Sequence, residues 1–336
     1  MTGPPKRRSD GPRPGRRRHP ATRRPVLDGA RLTADDVLDG VSSRAAYANL
    51  LLPQLLRERQ LEERDAAFAT QLAYGTLRAQ GTLDAVLTGP VSRPRAELDP
   101  RVLDLLRLGA YQLLDLRVPS HAAADTTVDL TRGIVGTGAS GLVNAVLRKV
   151  AAGGDRTEWL TRLGGDDAER LALASNHPHW IVDAWRDALA DDDELAAALL
   201  ADDAAPDVHL VARRVDRDRL VAESGGEPGP WSPFAVRLDG GDPGRLPSVR
   251  SGAAAVQDEG SQLVALALAA APLDGADRLW VDLCAGPGGK SALLDAVKPT
   301  DARVVGLELQ HHRSKLVARG GTAVVTADGR RPPLLA

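Results

Sequence analysis

The residues best suited to chemistry lie in the segment VDLCAGPGGKSALL, at residues 281–294. An apolar run breaks there into a glycine-rich turn, and a helical pattern follows. Glycine lets a ligand approach backbone amides that side chains would otherwise shield, and the first turn of a helix carries partial positive charge. The segment therefore predicts a cofactor-binding turn, with the candidate residues Cys284, Ala285, Gly286, Pro287, Gly288, Gly289 and Lys290.

Two carboxylates follow at the ends of the next predicted strands. Glu308 closes an apolar run at residues 302–309, and Asp328 closes a run at residues 322–328. In open parallel sheets, ligands bind at the carboxyl ends of the strands. We therefore expect both carboxylates near the turn, where Glu308 would accept from the hydroxyls of a ribose and Asp328 from the exocyclic amine of adenine.

The glycine spacing narrows the class of cofactor. A Walker loop has four residues between its first glycine and the Gly-Lys-Ser/Thr, and GPGGKS at residues 286–291 is shorter than that. The dinucleotide pattern G-x-G-x-x-G also fails, because Gly288 is followed by Gly289, Lys290 and Ser291. The sequence thus favours a nucleoside cofactor without a pyrophosphate, of which S-adenosyl-L-methionine is the common one.

Strands and helices must alternate to position these groups. Beyond residue 252, strands are predicted at 278–285, 302–309 and 322–328, with helices at 259–271, 290–297 and 312–318. This alternation is typical of a parallel sheet with crossover connections.

The first half of the chain is predicted to be helical. Amphipathic patterns fall at residues 44–59, 64–80, 99–116, 121–134 and 140–150 and indicate an all-α bundle. Asp99 is the expected N-cap of the third helix, with Pro100 at its first position. The next region, residues 157–250, reads as a linker and a small α+β module with strands at 207–215 and 233–238.

Composition excludes several classes of protein. A single cysteine cannot form an internal disulfide, which indicates a reducing compartment. No stretch approaches the roughly 20 apolar residues of a membrane helix, so we expect a cytoplasmic protein that does not bind membranes.

The N-terminal segment is strongly basic. Residues 1–25 hold nine Lys and Arg against one Asp and should be disordered. Such a tail attracts phosphate backbones; the alternative is a solubilising leader.

Three motifs together resemble those of the RNA cytosine-C5 methyltransferases: VDLCAGPGGK, QDEGSQL at 257–263 and TADGR at 326–330. The helical segments at 64–87, 106–114 and 141–150 resemble the NusB-type RNA-binding domain, which is fused to the methyltransferase in the ribosomal RNA small-subunit methyltransferase B family. The resemblance implies a multidomain chain with four parts. These are a disordered basic tail (1–35), a NusB-like RNA-binding helical domain (36–156), a linker and small α+β module (157–250), and part of an α/β Rossmann-like class I methyltransferase domain that binds S-adenosyl-L-methionine (251–336).

The resemblance also implies a reaction, the methylation of cytosine C5 in 16S ribosomal RNA. We expect a monomeric protein that binds no metal, since the histidines lack a metal-ligand pattern. In the family a thiolate attacks C6 of cytosine from an Asp-x-Pro-Cys segment, and a Thr/Ser-Cys-Ser segment supplies a second cysteine. Neither segment is present here, so Cys284 is expected to be a small buried or cofactor-lining residue and no catalytic residue is assigned. In the family's strand order, 3-2-1-4-5-7-6, the chain would supply 3-2-1 with its first strand as an open edge. These features predict a C-terminally truncated chain that transfers no methyl group by itself. The alternative function is a non-catalytic RNA-binding remnant.

Three assignments stay open from the sequence. Arg313 matches a basic residue that follows the acidic strand end in the family, or is a surface residue. Asn144 and Arg148 either orient packing between domains or contact RNA. Trp180 and Trp185 either pack the middle module, which we favour, or stack on RNA bases.

Overall fold

The protein is described here by a computed structural model that covers residues 27–92, 94–116, 118–189, 191–275 and 277–333. The described chain forms two compact units, divided between Ala204 and Ala205. The basic segment 1–25 lies outside the described residues. Within the described ranges, none of the helices has both the length and the apolar character needed to cross a membrane.

The first unit is built from α-helices and a short 3-10 turn at Arg95–Glu97. The helices are α1 (Gly29–Arg44), α2 (Ala48–Arg59), α3 (Glu63–Arg78), α4 (Gln80–Thr88), α5 (Pro100–Leu114), α6 (Ser120–Ile134), α7 (Thr137–Ala152), α8 (Arg156–Leu163), α9 (Asp167–Ala174), α10 (His179–Ala188) and α11 (Asp192–Asp203).

Helix α5 is the central element of this unit. Asp99 caps its N-terminus by accepting from the N–H of Arg101 at 2.8 Å, and Pro100 is its first residue, which confirms the predicted helix start. Leu105, Leu106 and the other apolar residues of its inner face are buried, and the helix packs against α1, α3, α4, α6 and α7. The amphipathic pattern thus predicted both the helix and its buried face.

The boundaries of the helical region differ from the predicted ones. Helix α1 begins at Gly29, inside the segment 1–35 assigned to the tail, because Ala30 and Ala34 of its first turns are buried. At the other end, residues 157–204 belong to the helical unit and not to an α+β module. Trp159 of α8 is buried and donates its indole N–H to the carbonyl of Val150 in α7 at 2.9 Å. This contact ties α8 to the bundle.

The two tryptophans of α10 have different environments. Trp185 is half-buried and packs against a core cluster that includes Val182 of α10 and Leu195 of α11. Trp180 has 70% of its surface exposed, so the favoured expectation that both residues pack the module is wrong for Trp180. Helical spacing places the two side chains on different faces of a helix this short.

The second unit begins with an antiparallel sheet in the order β2-β3-β1-β4. Its strands are β1 (Val208–Ala212), β2 (Glu227–Pro228), β3 (Ala235–Leu238) and β4 (Ala254–Val256), with helices α12 (Arg217–Ser224) and α13 (Pro247–Arg250) in the crossovers. This βαββαβ order is that of a split βαβ motif. Strand β4 lies beyond residue 250, so the predicted module boundary is too early: β4 pairs with β1 through Val256 and Leu210.

The parallel sheet follows in the order β5-β6-β7. Its elements are α14 (Glu259–Ala269), β5 (Leu279–Asp282), α15 (Gly289–Val297), β6 (Arg303–Glu308), α16 (His311–Arg319) and β7 (Ala323–Thr326). Asp282 pairs in register with Gly306, and Glu308 with Thr326. The order of these three strands agrees with the predicted one, and among the described residues β5 pairs with β6 alone.

A partly buried ion cluster joins α1 to α5. The guanidinium of Arg101 donates to Asp35 at 2.6 Å and to Asp36 at 2.6 Å, and lies 3.2 Å from Asp39. Asp35 is fully buried, and its second oxygen has no hydrogen-bond partner in the described structure. Burial, opposed by Arg101, raises the pKa of Asp35 from 3.8 to about 6.

This shift predicts a pH dependence of stability. Because its pKa is higher in the folded chain, protonation of the Asp35 carboxyl stabilises the folded state. This stabilisation is lost as the pH rises from about 4 through 6. The free energy of unfolding of the native chain, relative to Asp35→Asn, should therefore fall by up to about 3 kcal/mol over this window. Urea unfolding of both chains across the window measures it.

The matched control is Asp129→Asn, which removes an exposed carboxylate paired with Arg132. Because exposed ion pairs contribute little stability, this variant should unfold at close to the same urea concentration as the native chain. A flat difference between Asp35→Asn and the native chain over the pH window would contradict the raised pKa.

Candidate functional site

The strand ends of the parallel sheet bring three predicted segments to one edge. The turn after β5, the end of β6 and the segment after β7 meet there, since the N–H of Ala327 donates to the carbonyl of Glu308 at 3.1 Å. Gly329 reaches back to β5, where a Cβ atom on it would lie 2.3 Å from the carbonyl oxygen of Leu283. The edge therefore holds the turn, Glu308 and Asp328 near one another.

Glu308 connects the turn to β6. Its carboxylate is 5% exposed and accepts from the N–H of Gly286 at 3.0 Å and from the N–H of Gln310 at 2.9 Å. A buried carboxylate requires such donors. Each carboxylate oxygen has capacity for a further hydrogen bond, so Glu308 can also accept from hydroxyl groups of a ligand.

Asp282 holds the other side of the turn. One of its oxygens accepts from the N–H of Cys284 at 3.1 Å, and the other accepts from the hydroxyl of Ser291 at 2.6 Å. These bonds join the end of β5 to the first turn of α15. Asp282 and Ser291 were not among the site residues predicted from the sequence, although an Asp before the glycine turn and a Ser just after it are visible there.

The start of α15 offers backbone donors. Gly288, with φ of 117°, is its N-cap and provides no side-chain hydrogen bond. The first N–H groups of a helix have no partner within the helix. The turn thus presents N–H groups of Gly289, Lys290 and Ser291 at the positive end of the helix, where they can bind a carboxylate.

Arg313 lies within the site and not on an unrelated surface. Its guanidinium donates to the carbonyl of Gly286 at 2.7 Å and lies 4.0 Å from the carboxylate of Glu308. Gly286 is therefore held at both its N–H and its carbonyl. Arg313 thus positions the turn, and its correspondence to the family's basic residue stays a prediction.

The QDEGSQL motif joins the antiparallel sheet to α14. Glu259 is buried and accepts from the N–H groups of Trp231 and Ser232 at 2.7 Å each, while Gln262 donates to the carbonyl of Gln257 at 3.0 Å. Gln257 is 7% exposed, and its side-chain oxygen has no partner in the described part of the chain. Atoms of this side chain lie 3.5 to 3.8 Å from the position of a Cβ on Gly289, so the amide borders the turn.

Asp328 reaches the edge but is already paired. Arg330 donates to both of its oxygens, at 2.7 and 3.0 Å, and these hydrogen bonds lower the pKa of Asp328 to about 2. Arg330 is 87% exposed, and exposed ion pairs contribute little stability. The carboxylate can therefore exchange this partner for another donor.

Cys284 is exposed, so the buried alternative for this residue is wrong and the cofactor-lining alternative stays a prediction. The turn directs its side chain outward while the next residue, Ala285, is buried and donates its N–H to Leu307 at 2.9 Å. Lys290 and Pro287 are exposed as well, Gly286 and Gly289 are half-buried, and Gly288 is buried.

No group of three His, Cys, Asp or Glu side chains in the described ranges is arranged to hold a metal ion.

Comparisons with known proteins match both units of the chain. A family model described as the NusB family matches residues 28–152. A protein of Mycobacterium tuberculosis strain H37Rv, provisionally named as a methyltransferase, is 48% identical over 97% of this chain and 72% of its own length. The ribosomal RNA small subunit methyltransferase B of Escherichia coli strain SMS-3-5 / SECEC is 31% identical over 90% of this chain and 70% of its own length.

A further relative and a solved structure give similar results. The ribosomal RNA small subunit methyltransferase B of Pseudomonas putida is 33% identical over 84% of this chain and 64% of its own length. The crystal structure of PH0851 superposes with a TM-score of 0.74 over 91% of this chain and 70% of that chain. At 17% identity, that likeness shows a shared fold alone.

The contacts of Gly286 lead to a test of the turn. A Cβ at this position would lie 2.2 Å from a carboxylate oxygen of Glu308, so Gly286→Ala should displace Glu308 and open the turn. Overpacking of this kind costs about 1–3 kcal/mol, which corresponds to roughly 5- to 150-fold faster amide exchange by local opening. Hydrogen exchange followed by mass spectrometry on peptides covering residues 282–290 and 306–312 measures it.

Gly289→Ala is the matched control, because the nearest atom to a Cβ there is 3.5 Å away. Its exchange should remain close to that of the native chain. Equal protection in the two variants would show that the bond between Gly286 and Glu308 does not hold the turn.

Proposed function

The chain belongs to the ribosomal RNA small subunit methyltransferase B family, and from this membership we propose that it serves the S-adenosyl-L-methionine-dependent methylation of cytosine C5 in 16S ribosomal RNA. The observation that carries the proposal is the buried Glu308 carboxylate, bonded to the glycine turn at the carboxyl edge of the parallel sheet. The names of the matched relatives favour this enzyme over the alternative of a non-catalytic RNA-binding remnant.

The residues at the edge fit S-adenosyl-L-methionine chemically. The uncapped N–H groups at the start of α15 suit its methionine carboxylate, Glu308 suits its ribose hydroxyls, and Asp328 suits its adenine amine. Gln257 adds a buried amide oxygen without a partner beside the turn, which suits a donor on the cofactor. When bound, the cofactor supplies an electrophilic methyl group.

The chain's own residues then have distinct roles in this proposal. Arg313 and Asp282 hold the turn from its two sides, so the backbone donors keep their direction while a ligand binds. Glu308 orients the ribose because it is itself fixed by two backbone N–H groups. Asp328 must give up Arg330 to accept from adenine, which makes its contact the weaker of the two carboxylates.

Cys284 is proposed to line the cofactor site and not to act as the nucleophile. Its N–H is bonded to Asp282 within the cofactor turn, whereas the family resemblance assigns the attacking thiolate to other segments. The 336 residues contain no second cysteine, so the attacking thiol of the proposed reaction has no candidate among them. We therefore assign no catalytic residue within this chain.

The helical unit is proposed to bind the RNA substrate in the cytoplasm. The match of residues 28–152 to the NusB family supports RNA binding, and the basic segment before it adds charge that attracts phosphates without reading sequence. Both are consistent with a ribosomal RNA substrate. The proposal includes a monomeric protein, since nothing in the resemblance requires a second copy.

The cofactor proposal is tested by titrating S-adenosyl-L-methionine into the purified chain in a calorimeter. Glu308→Ala should weaken binding by about 10- to 100-fold, because hydrogen bonds to a carboxylate contribute roughly 1.5–3 kcal/mol. Glu308→Gln keeps the side-chain shape but replaces one acceptor oxygen by an amide donor, so it should also weaken binding. Thermal unfolding of both variants checks that the fold is intact.

Asp301→Ala is the control for this titration. Asp301 is an exposed carboxylate in the turn before the opposite end of β6, and it pairs only loosely with Arg278 at 3.7 Å. Its affinity should equal that of the native chain. Unchanged affinity in both Glu308 variants would mean that the ribose site lies elsewhere.

The role of the basic tail is tested through the salt dependence of RNA binding. Each phosphate neutralised by Arg or Lys adds roughly −0.7 to −0.9 to the slope of log K against log salt. Deleting residues 1–25 should flatten this slope for 16S ribosomal RNA, measured by filter binding at several salt concentrations. An unchanged slope would assign the tail to solubility instead.

A further inference from the structure

A second concave site lies wholly within the helical unit, between α6 and α7. It encloses about 310 Å³. Ala124 and Leu147, both buried, form an apolar wall together with Ala151. The polar side chains around this wall come from both helices: Ser120, His121, Asp125, Asn144 and Arg148.

The polar groups of this pocket are unpaired. In the ranges that the structure describes, the side chains of His121, Asp125, Asn144 and Arg148 make no hydrogen bond or ion pair. Arg107 of the same unit differs, since it binds Asp84 and Asp104. Asp125 and Arg148 share one pocket without pairing with each other. The pocket therefore keeps a guanidinium and a carboxylate available to one ligand.

The larger cavity of the helical unit lacks this property. It encloses about 890 Å³ between α4, α9 and the start of α10. Its polar groups are already engaged: Asn176 donates to Asp203 at 2.9 Å, His177 lies 3.0 Å from Asp202, and Thr82 donates to the carbonyl of Leu173 at 2.8 Å. A groove whose polar groups are satisfied offers little specific recognition.

The chemistry of the smaller pocket limits its ligand. Asp125 disfavours a simple anion, and Arg148 disfavours a simple cation. A planar base fits both, because its face can lie on the apolar wall while its edges present donors and acceptors. Guanine matches best: O6 and N7 form a pair of acceptors for the fork of an arginine, and N1–H with the 2-amino group forms a pair of donors for a carboxylate.

We propose that this pocket binds one unstacked guanine of single-stranded RNA, with Arg148 donating to O6 and N7 and Asp125 accepting from N1–H and the 2-amino group. Asn144 and His121 supply further hydrogen bonds at the rim. The inference rests on the proposed RNA binding by the helical unit and deepens it, since it names the base and the residues that read it. It also assigns Asn144 and Arg148 to RNA contact.

The test measures binding of labelled RNA octamers by fluorescence anisotropy at one salt concentration. Octauridine is compared with octamers that carry a single guanosine, adenosine or cytidine at the same internal position. The single guanosine should raise the affinity of the full chain by about tenfold, within the range of a good bidentate contact, and the other bases should not.

Three variants and one control make the result specific. The guanosine preference should be lost in each of the variants Arg148→Ala, Arg148→Lys and Asp125→Asn. Arg148→Lys keeps the positive charge and removes only the bidentate hydrogen bonding of the guanidinium. Arg132→Ala, which breaks a surface pair with Asp129 on α6, should keep the preference. Thermal unfolding of each variant confirms that the helices are intact.

The outcomes separate this inference from the proposed function. Equal affinity for all octamers by a chain that still binds 16S ribosomal RNA would overturn the guanine pocket alone. A chain that binds neither the octamers nor 16S ribosomal RNA would overturn both. Loss of the preference in Arg132→Ala to the same degree would show a general charge effect and would also overturn the pocket.

Discussion

The candidate site depends on one buried carboxylate. Glu308 ends β6 inside the protein, and burial obliges it to find donors, which it takes from Gly286 in the turn after β5 and from Gln310 at the start of α16. Parallel pairing makes this possible, because it places the ends of neighbouring strands on one edge. Gly286 can approach so closely only because it lacks a Cβ. Arg313 then completes the arrangement by holding the carbonyl of the same glycine.

The charged residues of the helical unit fall into a paired set and an unpaired set. At the contact of α1 with α5, Arg101 is surrounded by Asp35, Asp36 and Asp39, and at α4 and α5 Arg107 bridges two further carboxylates. Such pairs fix the packing of helices whose charges are partly removed from water. Between α6 and α7, in contrast, charged and polar side chains line a pocket with their hydrogen-bonding capacity unused. The paired charges support helix packing, whereas the unpaired groups that line this pocket are available to a ligand.

The antiparallel sheet shows why a topology does not by itself imply a function. Its βαββαβ order is shared with domains that bind RNA on an open sheet face. Here Leu210 and Val236 face α12 and α13, while Val211 and Ala255 on the other face pack with residues of α14 and α15. Both faces are covered, so this sheet supports the parallel-sheet region and does not offer an aromatic platform.

Local signals in the sequence determined much of this architecture. The cap formed by Asp99 and Pro100, the buried face of α5, and a parallel sheet of β5, β6 and β7 follow from spacings of a few residues and from the alternation of elements, and the structure has all of them. The order of these strands was implied by the family resemblance. The glycine turn and Glu308 were likewise visible as motifs. Only the tertiary structure decided which groups contact the turn and which face solvent. Arg313 bonds Gly286, Gln257 lies beside Gly289, and Cys284 is exposed. The tertiary structure also decided that β4 joins the first sheet and that residues 157–204 join the helices. The physical reason is that periodicity and capping act within one element, whereas burial and hydrogen-bond partners depend on packing between residues far apart in the chain.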